Sequence, residues 1–318
     1  MAAKPVLVTG GSGFLGSALV KRLRAAGQRV RVFDNFFRGT PERLKGLSNV
    51  EIVSGDIRDP GAVLRAAKGT SRIWHLAFVN GTRYFYEQPG LVLEVGVKGM
   101  VNVVDAALKA NVPELMVASS SEVYQNAAVV PTPEEAPLII PNPWNPRYSY
   151  AASKIITEML ALHAARGVKR VVLFRPHNVY GPDMGREHVI PQLALKVKAL
   201  AEKKTGALHL PIQGKGAETR SFVYVDDFID GLELIERKGR HRAIYHIGTQ
   251  EEISVKTLAE AIGRCFGRKV VTVPGPAPEG GTPRRCPDIT KMRKLGYKPK
   301  VKLREGLLRT VRWYANNG

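Results

Sequence analysis

Cysteine is scarce in this chain of 318 residues, which contains only Cys265 and Cys286. Two thiols cannot build a disulfide framework or a four-thiolate zinc site, and so few of them indicate a reducing compartment. The chain also lacks an apolar run of the roughly 18 residues that a membrane span requires. Met1 to Pro5 lead directly into a strand-like segment without the layout of a signal peptide. The sequence therefore predicts a cytoplasmic protein with no membrane partner.

Motifs of several other protein classes are missing as well. No HExxH or paired CxxC spacing is present, so no metal site is predicted. Gly214 and Lys215 are followed by Gly216 rather than Ser or Thr, which excludes a Walker motif there. Apolar residues make up 44% of the chain and charged residues 24%. These fractions are close to the globular average and exclude a wholly disordered or fibrous protein.

Acidic residues are few relative to basic ones: 28 Asp and Glu stand against 48 Lys and Arg, which leaves a formal net charge of +20. Such a charge attracts polyanions, whether nucleic acid, acidic lipid or phosphorylated small molecules. The basic residues are scattered, and they form no continuous block. We therefore interpret the charge as a solvated basic surface and predict no specific nucleic-acid partner.

Short apolar runs rich in Val, Ile and Leu alternate with helical patterns through the first half of the chain. The runs are Val6–Val8, Val30–Phe33, Val50–Val53, Ile73–Leu76, Leu115–Ala118 and Val171–Phe174. The helical patterns between them include Phe14–Ala26, Leu91–Ala110 and Tyr150–Ala165, and Gly27 stands where the first helix should end. Continuous apolar strands separated by helices imply a parallel sheet covered on both faces. The predicted fold class is α/β, a Rossmann-like doubly wound parallel sheet.

The regular alternation of apolar runs and helical patterns ends after Arg175. Pro and Gly interrupt the segments that follow, and the helical patterns there are short: Ile190–Lys203, Val255–Phe266 and Arg304–Tyr314. Residues 1–175 are therefore predicted to form the Rossmann domain, with a return segment near 218–248. Residues 176–318 are predicted to form mainly a smaller, mixed substrate-binding lobe.

The first predicted strand ends in a glycine-rich turn. Gly10, Gly13 and Gly16 follow Thr9 in a GxxGxxG spacing, and a helical pattern begins directly after them. Glycines in this position let backbone N–H groups approach a pyrophosphate at the helix N-terminus, where side chains would block it. The strand, the turn and the helix together predict a dinucleotide site.

Asp34 ends the second strand, about twenty residues past the glycine turn, where the hydroxyls of an adenosine ribose would lie. Its carboxylate would repel the 2′-phosphate of NADP, so the sequence predicts NAD as the cofactor. Arg31 and Arg38 are close enough in the sequence to leave NADP as a second option.

Tyr150 and Lys154 stand four residues apart at the start of a predicted helix, which places the phenol and the ammonium on one face. A free Tyr has a pKa of about 10 and is a poor base at neutral pH. The adjacent ammonium and a positively charged nicotinamide ring favour the phenolate, which lowers the pKa of the phenol toward the working range. A Ser hydroxyl from a neighbouring strand end would complete a proton path from a sugar or alcohol hydroxyl to Tyr150.

These motifs, in this order, resemble the extended short-chain dehydrogenase/reductase family of nucleotide-sugar epimerases, dehydratases and decarboxylases. The resemblance covers essentially the whole chain. Its motifs are TGGSGFLG at 9–16, the acid at Asp34, GDI at 55–57, HLA at 75–77, SSSEVY at 119–124, YAASK at 150–154, RPHNVYGP at 175–182, TRSFVYVDD at 219–227 and PDITK at 287–291. The resemblance implies an enzyme that binds NAD and a nucleotide-diphosphate sugar. It also implies a homodimer formed through Leu91–Ala110 and Tyr150–Ala165.

The resemblance further implies roles for individual residues. The implied catalytic residues are Tyr150 as the acid/base, Lys154 as the residue that holds the nicotinamide ribose, Ser120 as the hydroxyl partner, and Glu122. The implied cofactor-binding residues are Gly10, Gly13, Phe14, Leu15, Gly16, Asp34, Asn35, Asp56, Ile57, Ala77, Tyr150 and Lys154. The implied substrate-binding residues are Thr82, Ser121, Asn178, Val189, Arg220, Arg284 and Arg285. Of these, Asn178, Arg220 and one of Arg284 or Arg285 would hold the diphosphate, because Arg side chains match phosphate oxygens.

Three positions depart from the pattern of the family. Gly96 replaces the asparagine that is usual before a GT-like turn, and Gln125 replaces the glycine that is usual after VY. Both are interpreted as structural adjustments. Gln213 stands where an aromatic residue commonly stacks on the nucleotide base, which leaves the base undefined. The segment 80–86 is unusual in its aromatic residues and is predicted to line the sugar site.

The residues leave open which reaction completes the cycle once sugar C4 is oxidised. Epimerisation needs only that the keto sugar turn in the site, whereas a 4,6-dehydratase needs a base for the C5 proton and an acid for the leaving hydroxyl. Glu122 could be that base, but Ser121 occupies the position where many dehydratases have Asp. The prediction is an NDP-hexose 4-epimerase, with an NDP-sugar 4,6-dehydratase or NDP-uronate decarboxylase that uses Glu122 as the alternative. A non-catalytic NAD-sensing or RNA-binding Rossmann protein is the second alternative, against which the intact Tyr150 and Lys154 count.

Overall fold

Fourteen β-strands and ten α-helices follow one another along the part of the chain that the computed structural model describes, residues 3–203, 205–277 and 279–317. The strands are β1 (Val6–Thr9), β2 (Val30–Asp34), β3 (Val50–Ser54), β4 (Arg72–His75), β5 (Glu114–Ala118), β6 (Arg170–Pro176), β7 (Val179–Tyr180), β8 (Leu208–Gln213), β9 (Thr219–Ser221), β10 (Val223–Tyr224), β11 (Ala243–Ile247), β12 (Glu252–Ser254), β13 (Val270–Gly275) and β14 (Arg284–Arg285). The helices are α1 (Phe14–Ala25), α2 (Pro60–Ala67), α3 (Thr82–Glu87), α4 (Pro89–Lys109), α5 (Ser149–Met159), α6 (Val189–Lys203), α7 (Val225–Lys238), α8 (Val255–Cys265), α9 (Thr290–Leu295) and α10 (Leu303–Asn317). Within those residue ranges, no helix combines the length and the apolar character that crossing a membrane requires.

Seven strands form one sheet in the order β11-β6-β5-β4-β1-β2-β3. The pairs from β6 through to β3 are parallel, and Val6 of β1 lies opposite Val30 on one side and Arg72 on the other. The chain order reverses between β1 and β4. Ligands of such sheets bind in the crevice outside the carboxyl ends of the strands at this point of reversal. The predicted doubly wound sheet is confirmed, and its six predicted strands are β1 to β6.

The first strand and helix form as the sequence predicts. All four residues of β1 are buried, as expected for a strand covered on both faces. α1 ends just before Gly27, whose φ of +77° is the left-handed conformation that glycine adopts without steric cost. The N–H of Gly27 donates to the carbonyl of Arg24 at 2.9 Å, and the N–H of Gln28 donates to that of Leu23 at 3.0 Å. These two hydrogen bonds close the helix at the predicted residue.

The chain forms two units that are defined by their internal contacts. Unit 1 contains the described residues up to Val123, Leu138–Pro176 and Ile229–Tyr245, and therefore β1 to β6. Unit 2 contains Tyr124–Pro137, His177–Phe228 and the described residues from His246 onward. The chain enters unit 2 for the first time at Tyr124, where no sequence pattern indicates a domain boundary. It enters unit 2 again after Pro176. The division into a Rossmann domain and a substrate-binding lobe that the sequence predicts stays a prediction.

Unit 2 is built from small sheets and packed helices. β7 pairs with β10, β8 pairs in parallel with β13, and β9 lies between β12 and β14. Its helices α6, α8 and α10 pack on one another. The buried apolar side chains of these helices include Leu193, Val197, Leu258, Ile262, Leu307 and Val311. Each of the three short helical patterns predicted after Arg175 thus corresponds to one helix of this layer.

A buried ion pair joins neighbouring elements of unit 1. Arg175 in β6 donates from Nε and Nη2 to the Glu158 carboxylate of α5, at 2.7 and 2.6 Å. The two side chains are only 2% and 3% exposed. Ser119, directly after β5, donates its hydroxyl to the same carboxylate. The bidentate geometry and the added hydrogen bond offset the desolvation of both charges.

Glu158→Gln should lower the free energy of unfolding by about 3–5 kcal/mol, because it leaves the Arg175 guanidinium buried without its counter-charge. Urea unfolding monitored by circular dichroism measures this loss. Glu94→Gln is the matched control, since it removes an exposed carboxylate that pairs with Lys98 and Arg58. The control should change stability little. Equal, small effects of the two substitutions would contradict the role assigned to the buried pair.

Candidate active site

The glycine turn between β1 and α1 lacks side chains where the backbone is tightest. Gly10 has a φ of +71°, and a Cβ built on it would lie 2.7 Å from the backbone of Ala77, which follows β4. A Cβ on Gly16 would lie 2.0 Å from the carbonyl oxygen of Gly10. The Ser12 hydroxyl is buried in this turn and has no hydrogen-bond partner among the described residues. The backbone N–H groups of this turn lie at a helix N-terminus, and the Ser12 hydroxyl can donate a further hydrogen bond. This arrangement, a backbone cradle, fits the pyrophosphate of a dinucleotide.

Asp34 is buried at the carboxyl end of β2. One carboxylate oxygen accepts from the N–H of Ser12 and the other from the N–H of Phe36, each at 2.9 Å. The carboxylate therefore ties the glycine turn to the loop after β2, and its remaining lone pairs can accept from ribose hydroxyls. Arg31 forms hydrogen bonds with the carboxylate of Glu51 and the carbonyl of Ala66, and the guanidinium of Arg38 lies over the ring of Tyr84.

The remaining predicted cofactor residues also follow the carboxyl ends of β1, β2 and β3; they are Gly13, Phe14, Leu15, Asn35, Asp56 and Ile57. The Asn35 amide donates to the Asp56 carboxylate at 3.1 Å. Hydrogen bonds from Arg58 to the same carboxylate hold the pKa of Asp56 below its usual value. Ile57 is buried against α4, where a Cβ on Gly99 would lie 2.4 Å from its Cδ1. These residues thus share one edge of the sheet with the glycine turn.

Tyr150 and Lys154 lie on α5, and both are buried. The Lys154 ammonium donates to the carbonyl of Ala118, at the end of β5, at 2.8 Å. Burial lowers the pKa of Lys154 to about 7, against the opposing charge of Glu158. The ammonium therefore changes its charge near neutral pH, beside the phenol that it is predicted to activate.

Two Phe rings, on Phe78 and Phe85, enclose the Tyr150 ring. The Phe85 ring stacks on it with centroids 4.6 Å apart, and the Phe78 ring meets it edge-on at 5.0 Å. Sequence reasoning assigned neither Phe a place beside Tyr150. It did single out the aromatic segment 80–86, which forms most of α3 and contains Phe85. The one signal for Phe78 was its position directly after HLA.

The predicted serines and Glu122 follow β5, and a 3-10 turn spans Ser121–Tyr124. The Ser120 hydroxyl accepts from the backbone N–H of Glu122 at 3.1 Å. Ser120 and Ser121 are buried, whereas Glu122 is half-buried. The predicted Thr82 is the exposed first residue of α3. All four residues belong to unit 1, as do Tyr150 and Lys154.

His75 is the last residue of β4. Its Nδ1 lies 2.9 Å from the hydroxyl of Thr9 on the neighbouring strand β1. Burial lowers the pKa of His75 to about 3, and the positive charge of Lys154 contributes to this decrease. The imidazole is therefore neutral at physiological pH and forms a hydrogen bond within the sheet.

The arginines predicted to hold a diphosphate lie in unit 2. β14 runs parallel to β9, with Arg285 directly opposite Arg220. Arg220 donates to the carbonyl of Thr282 at 2.7 Å, and Arg285 donates to the Thr282 hydroxyl at 2.8 Å. Arg284 is exposed and forms a bidentate ion pair with Glu252. The structure thus brings Arg285, rather than Arg284, beside Arg220.

Two further substrate residues were predicted in this unit. Asn178 precedes β7 with a φ of +43°, and its side-chain amide donates to the carbonyl of Ser221 at 2.9 Å. Ser221 follows Arg220 in β9, so Asn178 lies against the arginine strand. Val189 is the first residue of α6.

Two departures from the family pattern have a local explanation. Gln125 has a φ of +48°, in the left-handed region that glycine adopts most easily. Gly96 lies where α4 approaches α5, and a Cβ there would be 2.6 Å from the Cβ of Ser153 and 2.9 Å from the ring of Phe78. The absence of a side chain at Gly96 is therefore required by its neighbours.

The sheet order, the backbone cradle and the Tyr–Lys pair define a Rossmann-fold enzyme of the short-chain dehydrogenase/reductase class. The chain belongs to the NAD-dependent epimerase/dehydratase family, whose family model matches residues 6–248. It is therefore an NAD-dependent enzyme of nucleotide-sugar processing, as the sequence predicted. NAD is confirmed as the cofactor of the family.

Similar proteins catalyse different reactions. The chain is 30% identical over 322 residues to a UDP-N-acetyl-alpha-D-glucosaminuronate decarboxylase of Bacillus cytotoxicus, covering 98% of both chains. It is 31% identical to a dTDP-glucose 4,6-dehydratase of Streptomyces antibioticus, covering 98% of this chain and 92% of that one. The crystal structure of Thermus thermophilus UDP-glucose 4-epimerase in complex with NAD superposes with a TM-score of 0.85 at 28% identity, covering 99% of this chain and all of the other. The epimerase prediction is therefore not confirmed at the level of the reaction.

Proposed function

We propose that this enzyme oxidises a nucleotide-diphosphate sugar transiently at C4 and releases the C4 epimer. The observation that carries the proposal is the continuity of the dinucleotide cradle with the Tyr–Lys pair. Gly10 packs against Ala77, and the next residue, Phe78, contacts both Tyr150 and Lys154. A dinucleotide in the cradle would thus lie beside a group that can remove a hydroxyl proton.

In this mechanism Tyr150 takes the proton of the C4 hydroxyl and later returns it. Lys154 favours the phenolate of Tyr150 through its positive charge and holds the nicotinamide ribose. Ser120 orients the sugar hydroxyl toward the phenol. NAD, when bound, would supply the acceptor for the C4 hydride and the donor that returns it. C4 is inverted if the keto sugar turns in the site before the hydride returns.

Epimerisation is favoured over elimination because it requires no further acid. Loss of the C6 hydroxyl needs a proton donor, and the Ser121 hydroxyl is a much weaker acid than a carboxylic acid at that position. Decarboxylation is the second candidate, favoured by the similarity to the B. cytotoxicus decarboxylase. In a uronate, the C6 carboxylate is β to the C4 ketone. The C5–C6 bond then breaks with loss of CO2, and its electron pair enters an enolate. C5 takes a proton from water, and the hydride removed from C4 would return to C4 to give the pentose.

A panel of UDP-glucose, UDP-glucuronate and dTDP-glucose, incubated with the enzyme and NAD, tests the proposal by product NMR. The proposal expects UDP-glucose to give its C4 epimer and dTDP-glucose to give no 4-keto-6-deoxy product. A pentose product from UDP-glucuronate, without epimerisation of the hexose, would replace the first candidate by the second. A 4-keto-6-deoxy product would overturn both.

Glu122→Gln should keep most of the epimerase activity, because the change preserves the shape of the side chain and epimerisation uses no carboxylate at this position. The measurement is the turnover rate, combined with NMR of deuterium incorporated at C5 in D2O. An epimerase should incorporate none in either protein. Deuterium at C5 in the wild-type product that is lost in the variant would make Glu122 a base and contradict the proposal.

We propose that Arg220 and Arg285, rather than Arg284, hold the diphosphate, because they are register neighbours on β9 and β14. Arg285→Ala should raise the KM for the sugar nucleotide about ten- to a hundredfold, the loss of one hydrogen-bonded charge contact. Arg284→Ala is the matched control, since its guanidinium is already paired with Glu252. A larger rise in KM for Arg284→Ala than for Arg285→Ala would contradict the assignment.

We propose that two copies of the chain associate through α4 and α5. Exposed apolar side chains on these helices are Leu93, Val101, Ile156 and Met159. Apolar exposure of this kind supports a protein interface. Light scattering should give twice the chain mass of 34.9 kDa, and the mass of a single chain would contradict the dimer.

No specific nucleic-acid partner is proposed, and the cytoplasmic location stays a prediction of the sequence.

A further inference from the structure

We propose that Phe78 is a positioning residue for the reaction, because its ring holds the Lys154 ammonium against one face and the Tyr150 phenol against its side. Gly96 supplies the space that this ring needs. The inference rests on the proposed roles of Tyr150 and Lys154. It adds to them a residue that would touch neither the sugar nor the reacting atoms.

The Lys154 ammonium contacts both the Phe78 ring and the carbonyl of Ala118. Its Nζ lies 4.1 Å from the centroid of the Phe78 ring, well within the range of a cation–π contact. An ammonium has three N–H donors. The carbonyl of Ala118 accepts from the ammonium and the Phe78 ring lies beside it, and the proposal assigns a further N–H to a ribose hydroxyl. The Phe78 ring therefore fixes the direction in which Lys154 presents its remaining donor.

The same ring constrains Tyr150. It meets the phenol ring at an interplanar angle of 86°, while Phe85 stacks on the phenol at 13°. Contacts from two directions restrict rotation of the phenol and so reduce the entropy that must be lost when it meets the substrate. Phe78 is the member of this pair that also contacts Lys154, so it links the two residues of the catalytic pair.

Gly96 explains how a ring of this size fits between α4 and α5. A Cβ at Gly96 would lie 2.9 Å from Cε2 of Phe78. An asparagine, which the family usually has at this position, would extend further into the space of the ring. The departure at Gly96 and the ring at Phe78 are thus two parts of one local arrangement.

The ring also acts on the charge of Lys154. Burial disfavours the ammonium, and the negative face of an aromatic ring favours it. The titratable groups that interact electrostatically with the ammonium are Glu158 on α5 and His75 on β4, and Tyr150 lies one helical turn before Lys154 on α5. Glu158 favours the ammonium, although it shares its charge with Arg175, and His75 is neutral at physiological pH. The Phe78 ring therefore supports the charged form of Lys154 together with Glu158 and the carbonyl of Ala118.

The test is the dissociation constant of NAD measured by calorimetry between pH 5.5 and 9. Charged Lys154 holds the ribose, so affinity in the wild type should fall as pH rises through the pKa of Lys154. Phe78→Leu removes the ring face and nearly conserves volume. It should move the onset of this fall to lower pH by about 0.4–1.5 units, the size of a cation–π contact. Phe78→Tyr retains a ring and should restore the wild-type onset.

Phe85→Leu is the matched control, because this ring stacks on Tyr150 and the onset assigned to Lys154 should stay in place. An unchanged onset in Phe78→Leu would overturn the inference. If Phe78→Leu does not fold, Phe78→Met replaces it. The fall in NAD affinity should then begin at lower pH in Phe78→Met than in Phe78→Tyr. A different result would reject the proposed role of Lys154. If Lys154 does not hold the ribose, the wild type and Lys154→Met should show the same NAD affinity at every pH.

Discussion

Tyr150→Phe should lower turnover about a hundred- to ten-thousand-fold, the range typical for the loss of a general acid/base. The substitution removes one hydroxyl and leaves the ring, whose contacts with Phe78 and Phe85 keep the side chain in place. Binding of NAD and of the sugar nucleotide should therefore change little. Steady-state kinetics and calorimetry on the same preparation separate the two effects, with the loss confined to kcat.

Tyr148→Phe is the control for Tyr150→Phe. Tyr148 is equally buried and lies in the 3-10 turn just before α5, but the mechanism gives it no proton to transfer. It should retain most of the activity. Wild-type turnover in Tyr150→Phe would show that another group transfers the proton.

Lys154→Met should lower kcat about a hundredfold or more and weaken NAD binding about ten- to a hundredfold. Both losses have one cause: the ammonium that favours the phenolate also holds the ribose. Kinetics and calorimetry at pH 6.5 give the two values. A fall in kcat with unchanged NAD affinity would remove the ribose role, and unchanged values of both would remove Lys154 from the mechanism.

Unfolding distinguishes this loss of function from misfolding. Burial lowers the pKa of Lys154 from the 10.5 of an exposed lysine to about 7 in the folded chain. The folded state therefore binds fewer protons between these values. The cost of the buried lysine to stability is full below about pH 7 and declines as the pH rises toward 10.5. Methionine removes that cost while filling the space, so the melting temperature at pH 6.5 should be unchanged or higher. A large decrease would mean that Lys154 is mainly structural.

Much of the fold could be predicted from the sequence because local patterns determine it. The runs at β1 to β6 are mostly apolar, and Gly27 has a conformation that few other residues adopt, so these elements follow from neighbouring residues alone. The glycine turn between β1 and α1 could also be predicted from its own residues. Gly10 and Gly16 are required by backbone contacts within the turn or with the residues that directly follow β4.

The rest depends on packing between distant segments. Phe78 follows β4 and meets Tyr150 on α5, a contact that no spacing within either segment reveals. That Arg285 rather than Arg284 lies opposite Arg220 follows from the pairing of β14 with β9, which the sequence does not reveal. The segment 124–137 joins unit 2 through contacts such as the one between Thr132 and Cys286.

Deuterium placed at C4 of the sugar nucleotide tests the central claim most directly. If the sugar is oxidised at C4 and reduced again in the same site, the label leaves the carbon and returns to it, while Tyr150 moves only the hydroxyl proton. Mass spectrometry and NMR of the epimerised product should therefore find the deuterium retained at C4. Replacement of that deuterium by hydrogen from water would contradict the account.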